Sequence, residues 1–575
     1  MYRLAGSFGI KGLPAVLASI LFAFNGFIIL RVEFYFQYSA YAWIPIILYF
    51  FKEGIAYNNI KKILIAALLL AIQYFIGYPI MVLMTMVMLG MIFLVSCFQG
   101  SSKQKMILGF VCSGVFIMII LPSLLPFIEF IPVSMRQGGM SYDAVTAYSL
   151  NPLEFLIFLL APLWNKYYSV QSGDVHIVGI YFGIVAVVPF IMGLWFIAKE
   201  KKYLWIYPAL IVSILLAFGK YTPVYKIFIT IFPFFSYMRF PVQWILIFVI
   251  FFPIVAGLGC SYINNHRITA ILIITILVEL ILFSNGSLKY INSTFFSRTF
   301  PAVEYLKQDN TMFRFSLTPK TRGINKRKAG SYIDGWSRFF NSFYPNTAMI
   351  AGLYDADGYE VMRYKAYEDI LNYIAKDPES KIIDMLNIKY FISFWKIEYK
   401  KYKLAMKKWN MYIYENLDCK PRIYGVRNCT FLPYDKIIAY MDSDHCNLDE
   451  EIICDEKLKG KIDIPTGAAE TTNFIIKNVN YGISTIFFDV ESSCDGFVVI
   501  ADAWDKSWHV RVNNIKKEII PVNYCLRGVP VRKGISSIKM YYMPVSMVVG
   551  MVASGVILTV IILYLKFGNI IKKRT

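Results

Sequence analysis

The sequence predicts a polytopic α-helical membrane protein with a large extracytoplasmic α+β domain that ends in a β-sandwich, followed by a C-terminal anchoring helix. Composition is the first reason, because 57% of the 575 residues are hydrophobic, which is above the usual range of soluble chains. The second reason is that these residues concentrate in long runs. The third is that only eight of the 38 carboxylates lie among residues 1 to 286. This uneven distribution separates a lipid-embedded body from a water-exposed part.

The membrane body is predicted from apolar runs that match the thickness of a bilayer, which needs about 20 mostly apolar residues per helix. Some of these runs are broken by Pro or Gly. About ten are present, at residues 13 to 30, 36 to 51, 63 to 78, 79 to 98, 106 to 131, 178 to 198, 203 to 218, 244 to 262, 269 to 285 and 544 to 565. The run at 36 to 51 is short, and the Pro-rich segment 152 to 163 is compatible with a re-entrant or interfacial piece instead.

The orientation is predicted from the Lys and Arg residues of the short loops, because positive charge resists translocation. Alternate loops are basic, and they carry Lys11; Lys52, Lys61 and Lys62; Lys103 and Lys105; Lys199, Lys201 and Lys202; Arg267; and Lys566, Lys572, Lys573 and Arg574. These loops fall on one face, which we predict to be cytoplasmic. The net charge of +20 is then largely topological, and no basic stripe with interleaved aromatic residues indicates nucleic-acid binding.

The chain divides by composition into four predicted segments. Residues 1 to 286 form the multispan membrane domain, and residues 287 to 390 form an extracytoplasmic segment that mixes helices with Gly- and Asn-rich loops. Residues 391 to 543 form an extracytoplasmic β-rich domain, and residues 544 to 575 form a transmembrane helix with a basic cytoplasmic tail. The predicted location is therefore the cell membrane, with a multi-pass body.

The β-rich domain contains a hairpin signal and two notable aromatic residues. Two strand-like stretches flank Asn513-Asn514, a pair that readily adopts positive φ. Trp504 and Trp508 lie just before this turn, and a sugar ring can stack on the face of an indole. Two tryptophans in a strand-rich domain are more often part of its core, so both interpretations stay open.

The sequence contains no motif for metal binding or nucleotide binding. The nine cysteines show no CxxC spacing and the four histidines are dispersed, so no metal centre is predicted. The cysteines of the outer block are even in number, which permits disulfides in an oxidising compartment. No glycine-rich phosphate loop appears, and the predicted cytoplasmic loops are too short for a nucleotide-binding domain. We therefore expect no cofactor.

A series of short motifs follows the order seen in one family of bacterial membrane proteins. In the membrane body these are Asn25-Gly26-Phe27, Trp43-Ile44-Pro45, Gly77-Tyr78-Pro79, Ser134 with Arg136, Tyr148-Ser149-Leu150-Asn151-Pro152, Gly179-Ile180-Tyr181-Phe182-Gly183, Gly219-Lys220-Tyr221-Thr222-Pro223 and Arg239-Phe240-Pro241. In the outer block they are Leu386-Asn387-Ile388-Lys389-Tyr390, Glu415-Asn416, Pro421-Arg422, Trp504 to Trp508, Asn523-Tyr524 and Arg527-Gly528-Val529-Pro530-Val531. Over nearly the whole chain, this order resembles YfhO-type membrane proteins.

The resemblance to YfhO-type proteins implies a multispan body similar to the GT-C class of glycosyltransferases, and a role in decorating cell-envelope polymers such as lipoteichoic acid. Such enzymes take a sugar from a polyprenyl-phosphate carrier on the outer face. The implied partners are that donor, a cell-envelope glycopolymer as acceptor, and the lipid bilayer. The resemblance starts after the family's first span and first outer loop, so we expect the acid that GT-C enzymes use as general base to be absent from this chain.

Few residues suit such chemistry, because inverting sugar transfer needs a carboxylate to take the acceptor's proton and positive charge to hold the departing phosphate. Glu33 is the candidate substitute base, and the alternative is a solvated interfacial acid or one paired with Arg31. Arg239 is the first candidate for the phosphate, ahead of Arg136 and Lys220. The alternative for each of these cations is a lipid-headgroup anchor.

One further acid, Glu279, lies within an apolar run, where a charge is costly unless it is paired or faces a cavity. A functional role, a protonated state and a position near the outer interface all remain open for it. The overall prediction is an outer-face, glycosyltransferase-like membrane protein. The alternative is a non-catalytic membrane scaffold or flippase partner whose outer domain binds glycans.

Overall fold

The computed structural model of the protein describes all residues except 101–102, 161–178, 289, 296–299, 325–339, 341–342, 344–345, 409–410, 463–472 and 572–575. The chain forms two compact units. The first unit consists of Met1–Leu125, Gly138–Lys289 and Val549–Thr575, and the second consists of Pro126–Gln137 and Tyr290–Val548. The second unit therefore adds one short segment of the first half of the chain to most of the second half.

The first unit is built from α-helices. In chain order, the α-helices of the described residues are α1 (Tyr2–Ser7), α2 (Leu13–Phe24), α3 (Gly26–Ile29), α4 (Tyr35–Ala56), α5 (Ile60–Phe75), α6 (Pro79–Phe98), α7 (Lys103–Phe130), α8 (Tyr142–Val145), α9 (Pro152–Leu160), α10 (Val187–Lys199), α11 (Ile206–Ala217), α12 (Pro223–Ile231), α13 (Ile245–Cys260), α14 (His266–Ser287), α15 (Pro301–Leu306), α16 (Pro319–Ile324), α17 (Lys365–Lys376), α18 (Ile382–Met385), α19 (Ile437–Asp442) and α20 (Val545–Ile571). Helices α15 to α19 belong to the second unit, as does the end of α7 from Pro126 onwards.

Five helical stretches of the described residues are long and apolar enough to cross a membrane. They are Pro79–Phe98, Lys103–Val133, Pro241–Cys260, His266–Ser287 and Val545–Phe567. The stretches Leu13–Ile29 and Val187–Lys199 are apolar but shorter. The predicted multi-pass character is thereby confirmed, whereas the number of about ten spans and the orientation stay predictions. The segment predicted to be re-entrant is helical from Pro152 to Leu160, and the rest of it lies outside the described residues.

Helix α13 lies at the centre of the first unit. Its apolar stretch, Pro241–Cys260, is completely buried. A helix in such a position can be hydrophobic on every side, as α13 is. Helices α10 and α13 approach so closely that no side chain fits between them. A Cβ atom on Gly193 would lie 1.9 Å from the carbonyl oxygen of Val255, and one on Gly259 would lie 2.0 Å from that of Pro189. Small residues at such positions allow membrane helices to pack backbone against backbone.

The β-strands of the described residues all lie in the second unit. They are β1 (Arg314–Leu317), β2 (Tyr354–Asp355), β3 (Ile388–Ser393), β4 (Tyr402–Lys408), β5 (Met411–Asn416), β6 (Ile423–Val426), β7 (Asn428–Leu432), β8 (Glu451–Asp455), β9 (Phe474–Tyr481), β10 (Thr485–Ser492), β11 (Gly496–Ala503), β12 (Trp508–Val512), β13 (Ile515–Lys517), β14 (Ile520–Val522), β15 (Leu526–Val531) and β16 (Gly534–Tyr542).

Two of the sheets form the predicted β-sandwich. One sheet has the strand order β13-β12-β16-β10-β9 and the other has the order β14-β15-β11-β6. Their inner faces share one hydrophobic core, in which Phe488 and Val510 of the first sheet pack with Val498 and Val529 of the second. Alternate residues of β10, β11, β12, β15 and β16 belong to this core, as expected for two packed antiparallel sheets.

The predicted hairpin is confirmed. Strands β12 and β13 pair antiparallel, with Val512 opposite Ile515. Asn513 and Asn514 between them have φ values of 49° and 65°, the left-handed conformation that a two-residue turn of this kind requires.

A third sheet crosses the position at which composition divides the outer block. Strand β3 includes residue 390 and pairs with β1 on one side and β5 on the other. The five-stranded sheet, in the order β2-β1-β3-β5-β4, therefore uses residues from both predicted segments. The sheet forms by pairing of strands that are far apart in the sequence. A change in local composition therefore does not predict where it begins or ends.

Candidate functional site

A large cavity lies within the second unit. Its volume is about 830 Å³, inside the range of about 300 to 1,000 Å³ that is typical of ligand sites. The lining comes from the end of α7 with the turn that follows, the start of α17, residues 503 to 507 at the end of β11 and beyond, and residues 521 to 525 around the end of β14. Tyr434, Tyr542 and Pro544 complete it. Most of the wall is aromatic or aliphatic, with a small number of charged groups among these side chains.

The turn after α7 is fixed to the start of α17 by backbone and ring contacts. Ser134 forms an isolated antiparallel bridge with Tyr364, and the backbone N–H of Met135 donates to the carbonyl of Arg363 at 2.9 Å. The ring of Phe130 meets that of Tyr364 edge to face, with centroids 4.9 Å apart. These contacts hold one wall of the cavity in place.

Trp504, a predicted substrate-binding residue, lines this cavity. Its backbone N–H donates to the carbonyl of Cys525 at 2.7 Å, and its indole Nε1 donates to the carbonyl of Ile519 at 3.1 Å. The side chain is half-buried and also packs against the sandwich core. Because both nitrogen atoms are bonded, the ring has a fixed orientation at the edge of the cavity.

Tyr364 and Asp505 form a hydrogen-bonded pair in the cavity wall. The Tyr364 hydroxyl donates to Oδ2 of Asp505 at 2.8 Å, while the backbone N–H of Ser507 donates to Oδ1 at 2.8 Å. Burial, together with the adjacent Asp505 carboxylate, raises the pKa of Tyr364 well above its usual range. The phenol therefore stays protonated and remains a donor at physiological pH.

A second carboxylate, Asp369, is held in the same wall by α17 and by a tyrosine. Lys365 pairs with Asp369 at 2.8 Å, one helical turn apart, and the hydroxyl of Tyr524 donates to Asp369 Oδ2 at 3.2 Å. The ring of Tyr524 stacks on that of Tyr434 with centroids 4.4 Å apart and an angle of 19° between the planes. Two parallel phenol rings thus stand next to an anionic group.

The third carboxylate of the lining is Glu129, near the end of α7. It accepts a hydrogen bond from Ser546 Oγ at 3.0 Å and lies 3.4 Å from the ammonium group of Lys506. Glu129 thereby connects the end of α7 with the start of α20 and with the loop between β11 and β12, within the second unit. This exposed pair adds little stability, since exposed ion pairs typically contribute about 0 to 1 kcal/mol.

The arrangement suits a polar ligand with an apolar face. Aromatic rings cover the C–H face of a sugar, and carboxylates together with phenol groups bond its hydroxyls. No group of His, Cys, Asp or Glu that could hold a metal ion occurs among the described residues.

The other predicted tryptophan, Trp508, has a different environment. It begins strand β12 and packs against the sandwich core. The guanidinium group of Arg527 lies over its ring at 4.0 Å from the centroid, and Tyr542 lies beside it at 5.4 Å. Trp508 is not among the residues that line the cavity.

Glu33, the candidate base, lies in the turn before α4 and its side chain is exposed. Arg31, two residues earlier, is buried: its exposed fraction is 1%. The Nη1 group of Arg31 donates to the carbonyl of Phe27 at 2.9 Å and to that of Gly179 at 3.3 Å. The guanidinium group also stacks on the Phe27 ring at 3.7 Å. Arg31 therefore ties this turn to the segment that precedes α10.

Lys220 and Arg239, two candidate phosphate ligands, lie at one junction of loops in the first unit. A Cβ atom on Gly219 would lie 2.8 Å from the Pro241 side chain, so the residue before Lys220 touches the segment that carries Arg239. The backbone N–H of Lys220 donates to Ser149 Oγ at 3.1 Å. Both cationic side chains are exposed.

Arg136, the remaining candidate, belongs to the second unit and is half-buried in the turn after α7. Its backbone N–H donates to Ser134 Oγ at 3.2 Å, so the local turn fixes its backbone. Its side chain does not line the cavity, although its neighbour Gln137 does.

Glu279 of α14 has a clear structural partner set. Its carboxylate accepts hydrogen bonds from the Tyr181 hydroxyl at 2.6 Å and from the backbone N–H groups of Ile184 at 2.7 Å and Val185 at 3.3 Å. Gly183 has a φ of 92°, and a side chain there would meet the carboxylate. Within the predicted span at 178 to 198, the described residues before Val187 are not helical and α10 begins at Val187. Glu279 accepts hydrogen bonds from two of the backbone donors in this non-helical segment.

Comparisons with known proteins identify no family. No known family pattern matches the chain, and no curated protein matches it. Among solved structures, the cryo-EM structure of the arabinofuranosyltransferase AftD from Mycobacteria is similar over 94% of this chain and 50% of that chain, with 8% identity and a TM-score of 0.42. The chain thus spans half the length of that protein, and its function has to be argued from its own residues.

Proposed function

We propose that this chain is a glycosyltransferase-like membrane protein of the cell envelope, which acts on the outer face and holds a sugar polymer in the cavity of its second unit. The observation that carries the proposal is the combination of the fixed Trp504 ring with the hydrogen-bonded Tyr364 and Asp505 in that cavity. A sugar presents both a C–H face and a ring of hydroxyls, and this wall complements both.

The proposed donor is a polyprenyl-phosphate-linked sugar, and the proposed acceptor is a polymer of the lipoteichoic acid type. The motifs that resemble YfhO-type proteins support this choice. So does the loop junction of the first unit, because exposed cations such as Lys220 and Arg239 suit a phosphate group.

The alternative is a non-catalytic scaffold or flippase partner that binds glycan without transferring a sugar. The exposed position of Glu33 favours this alternative, since a general base must reach the proton it removes and works best in a partly desolvated site. Both proposals share the glycan-binding cavity, and a transfer assay separates them.

The cavity is tested by substituting Trp504→Ala in the full-length protein in detergent and measuring binding of purified lipoteichoic acid. Trp395→Ala is the matched control, because Trp395 is half-buried in the same unit and does not line the cavity. We expect affinity to fall about two- to tenfold in Trp504→Ala, since an aromatic contact contributes about 0.5 to 1.5 kcal/mol. We expect no change in the control.

Unchanged affinity in a folded Trp504→Ala protein would exclude the cavity as the glycan site. Trp504→Phe keeps a ring but loses the hydrogen bond to the Ile519 carbonyl. If the ring is the binding element, this variant retains most of the affinity, which separates a lost contact from a collapsed wall.

A further inference from the structure

Three arginine side chains surround one carboxylate in the interior of the second unit. Arg314 and Arg422 both bond Oδ1 of Asp502, the latter at 2.9 Å, and Nη1 of Arg527 lies 3.9 Å from Oδ2. Strand β1, the residue before β6, and strand β15 supply the arginines, and β11 supplies the aspartate. Only 8% to 11% of each side chain is exposed.

The cluster carries two positive charges in excess. A guanidinium group does not lose its proton in a protein. Burial acts to raise the pKa of Asp502, but the three arginines outweigh it and hold that pKa below its usual range. The adjacent tyrosines add no negative charge, because burial raises the pKa of Tyr367 to about 12 and that of Tyr481 further still. An uncompensated charge in the interior is costly, so a further anion is expected here.

Two of the arginines also have donors without an acceptor among the described residues. Nε and Nη1 of Arg422, Nη1 of Arg527 and the hydroxyl of Tyr481 are buried and have no hydrogen-bond partner. Arg314 differs, because its Nη1 donates to two backbone carbonyls, that of Leu386 at 3.1 Å and that of Ala501. Buried donors nearly always have a partner, so this pattern indicates a missing acceptor next to Arg422 and Arg527.

Both guanidinium groups with spare donors are held in place by aromatic rings. Arg422 lies 4.8 Å from the ring centroid of Tyr354 and 4.9 Å from that of Tyr481. Tyr354 is 48% exposed, so the stack reaches the surface on that side. Arg527 lies over Trp508. Cation–π contacts of this kind fix the guanidinium planes without using their N–H groups.

We propose that Arg422, Arg527 and the Tyr481 hydroxyl bind a tetrahedral oxyanion, a phosphate or sulfate group, which supplies both the missing charge and the missing acceptors. Guanidinium groups match the oxygen spacing of such anions. None of the three residues lines the cavity that contains Trp504, so this is a second site. The group is either a free inorganic ion or the phosphodiester of a polymer, and the two sources share the same chemistry.

The test measures binding of radiolabelled inorganic phosphate to the full-length protein in phosphate-free detergent solution at constant ionic strength. The variants are Arg422→Gln, Arg422→Lys and Tyr481→Phe, and the control is Arg511→Gln, an exposed arginine of the same sandwich. We expect saturable binding by the wild type and the control. We expect at least a fivefold loss of affinity in Arg422→Gln, a smaller loss in Tyr481→Phe, and partial retention in Arg422→Lys, which keeps the charge but not the planar fork.

A second arm measures whether lipoteichoic acid, which carries phosphodiesters, displaces the bound phosphate. Displacement that is lost in Arg422→Gln but kept in Trp504→Ala identifies a polymer phosphate at this site, and absence of displacement identifies a free ion. If the wild type shows no saturable phosphate binding, the proposal is overturned, since the donors are then satisfied by water. Equal phosphate binding by wild type and Tyr481→Phe, a variant that removes only a hydroxyl, together with equal binding by Arg422→Lys, would overturn it as well.

Discussion

At the residue scale, Lys220 and Arg239 each stand next to a residue with a positive φ. Gly219, just before Lys220, has a φ of 52°, and a side chain there would collide with Ser149 and Pro241. Phe240, just after Arg239, has a φ of 74°, which is unusual for a bulky residue. Its backbone N–H donates to the Val145 carbonyl at 3.3 Å. Strain of this kind persists only where surrounding contacts enforce it, and it is common at functional sites.

We predict that Arg239→Ala and Lys220→Ala each lower sugar transfer from a polyprenyl-phosphate donor by about tenfold or more, because a cation that stabilises a departing phosphate acts mainly in the transition state. Transfer is measured with the full-length protein and an envelope acceptor. Lys226→Ala, an exposed lysine on neighbouring α12, is the control and should leave transfer unchanged. Transfer at the wild-type rate in both variants would rule out a phosphate role, and absence of transfer in the wild type favours the non-catalytic alternative.

Local signals predicted some of these residues and not others. The Asn513-Asn514 turn was predictable because positive φ is a property of the residues themselves. The environment of Asp502 was not, since its arginines at 314, 422 and 527 lie far apart in the sequence and meet only through strand pairing. The cavity carboxylate Asp369 lies in no motif, and Asp505 lies within the Trp504 to Trp508 motif, which does not mark it as part of a cavity. They looked like ordinary charged residues of an exposed domain.

At the scale of elements, α10 and α13 of the first unit pack backbone against backbone. We predict that Gly193→Ala lowers the melting temperature of the protein, because its Cβ atom would meet the Val255 backbone, and overpacking costs about 1 to 3 kcal/mol. Gly114→Ala on α7 is the control, since nothing lies within 4 Å of its added Cβ atom. That variant should be neutral or slightly more stable, in line with helix propensity.

The measurement is thermal unfolding of both variants in detergent, followed by intrinsic fluorescence. A melting temperature for Gly193→Ala equal to that of the control would show that the two helices separate easily.

Apolar runs predicted the position of most of these helices, because hydrophobicity is a local property. They did not predict that residues 179 to 186 are not helical, where the distant carboxylate of Glu279 bonds the backbone N–H groups of Ile184 and Val185.

At the scale of the whole molecule, the uneven distribution of charge predicts on which side of the membrane the second unit lies. Lys and Arg flank the apolar runs in alternate loops, and the acidic residues collect after residue 286. Translocation is resisted by short basic loops and little affected by carboxylates, so the distribution predicts that the second unit is outside. The glycan proposal depends on this orientation, since envelope polymers are outside the cell. The oxyanion site does not depend on it, because its argument uses only buried groups of the second unit.

We predict that an epitope tag inserted at Ile483 is reached by antibody on intact protoplasts, whereas one inserted at Asn58 is reached only after permeabilisation. Ile483 is fully exposed at the turn between β9 and β10, so a tag there leaves the sandwich core intact. Asn58 is exposed between α4 and α5, in a loop flanked by Lys52, Lys61 and Lys62. The opposite pattern would place the second unit in the cytoplasm and remove the envelope-glycan proposal. If antibody reaches both tags on intact protoplasts, the loop at Asn58 and the second unit lie on the same side of the membrane. The number of spans between them would then be even, whereas the predicted number is odd.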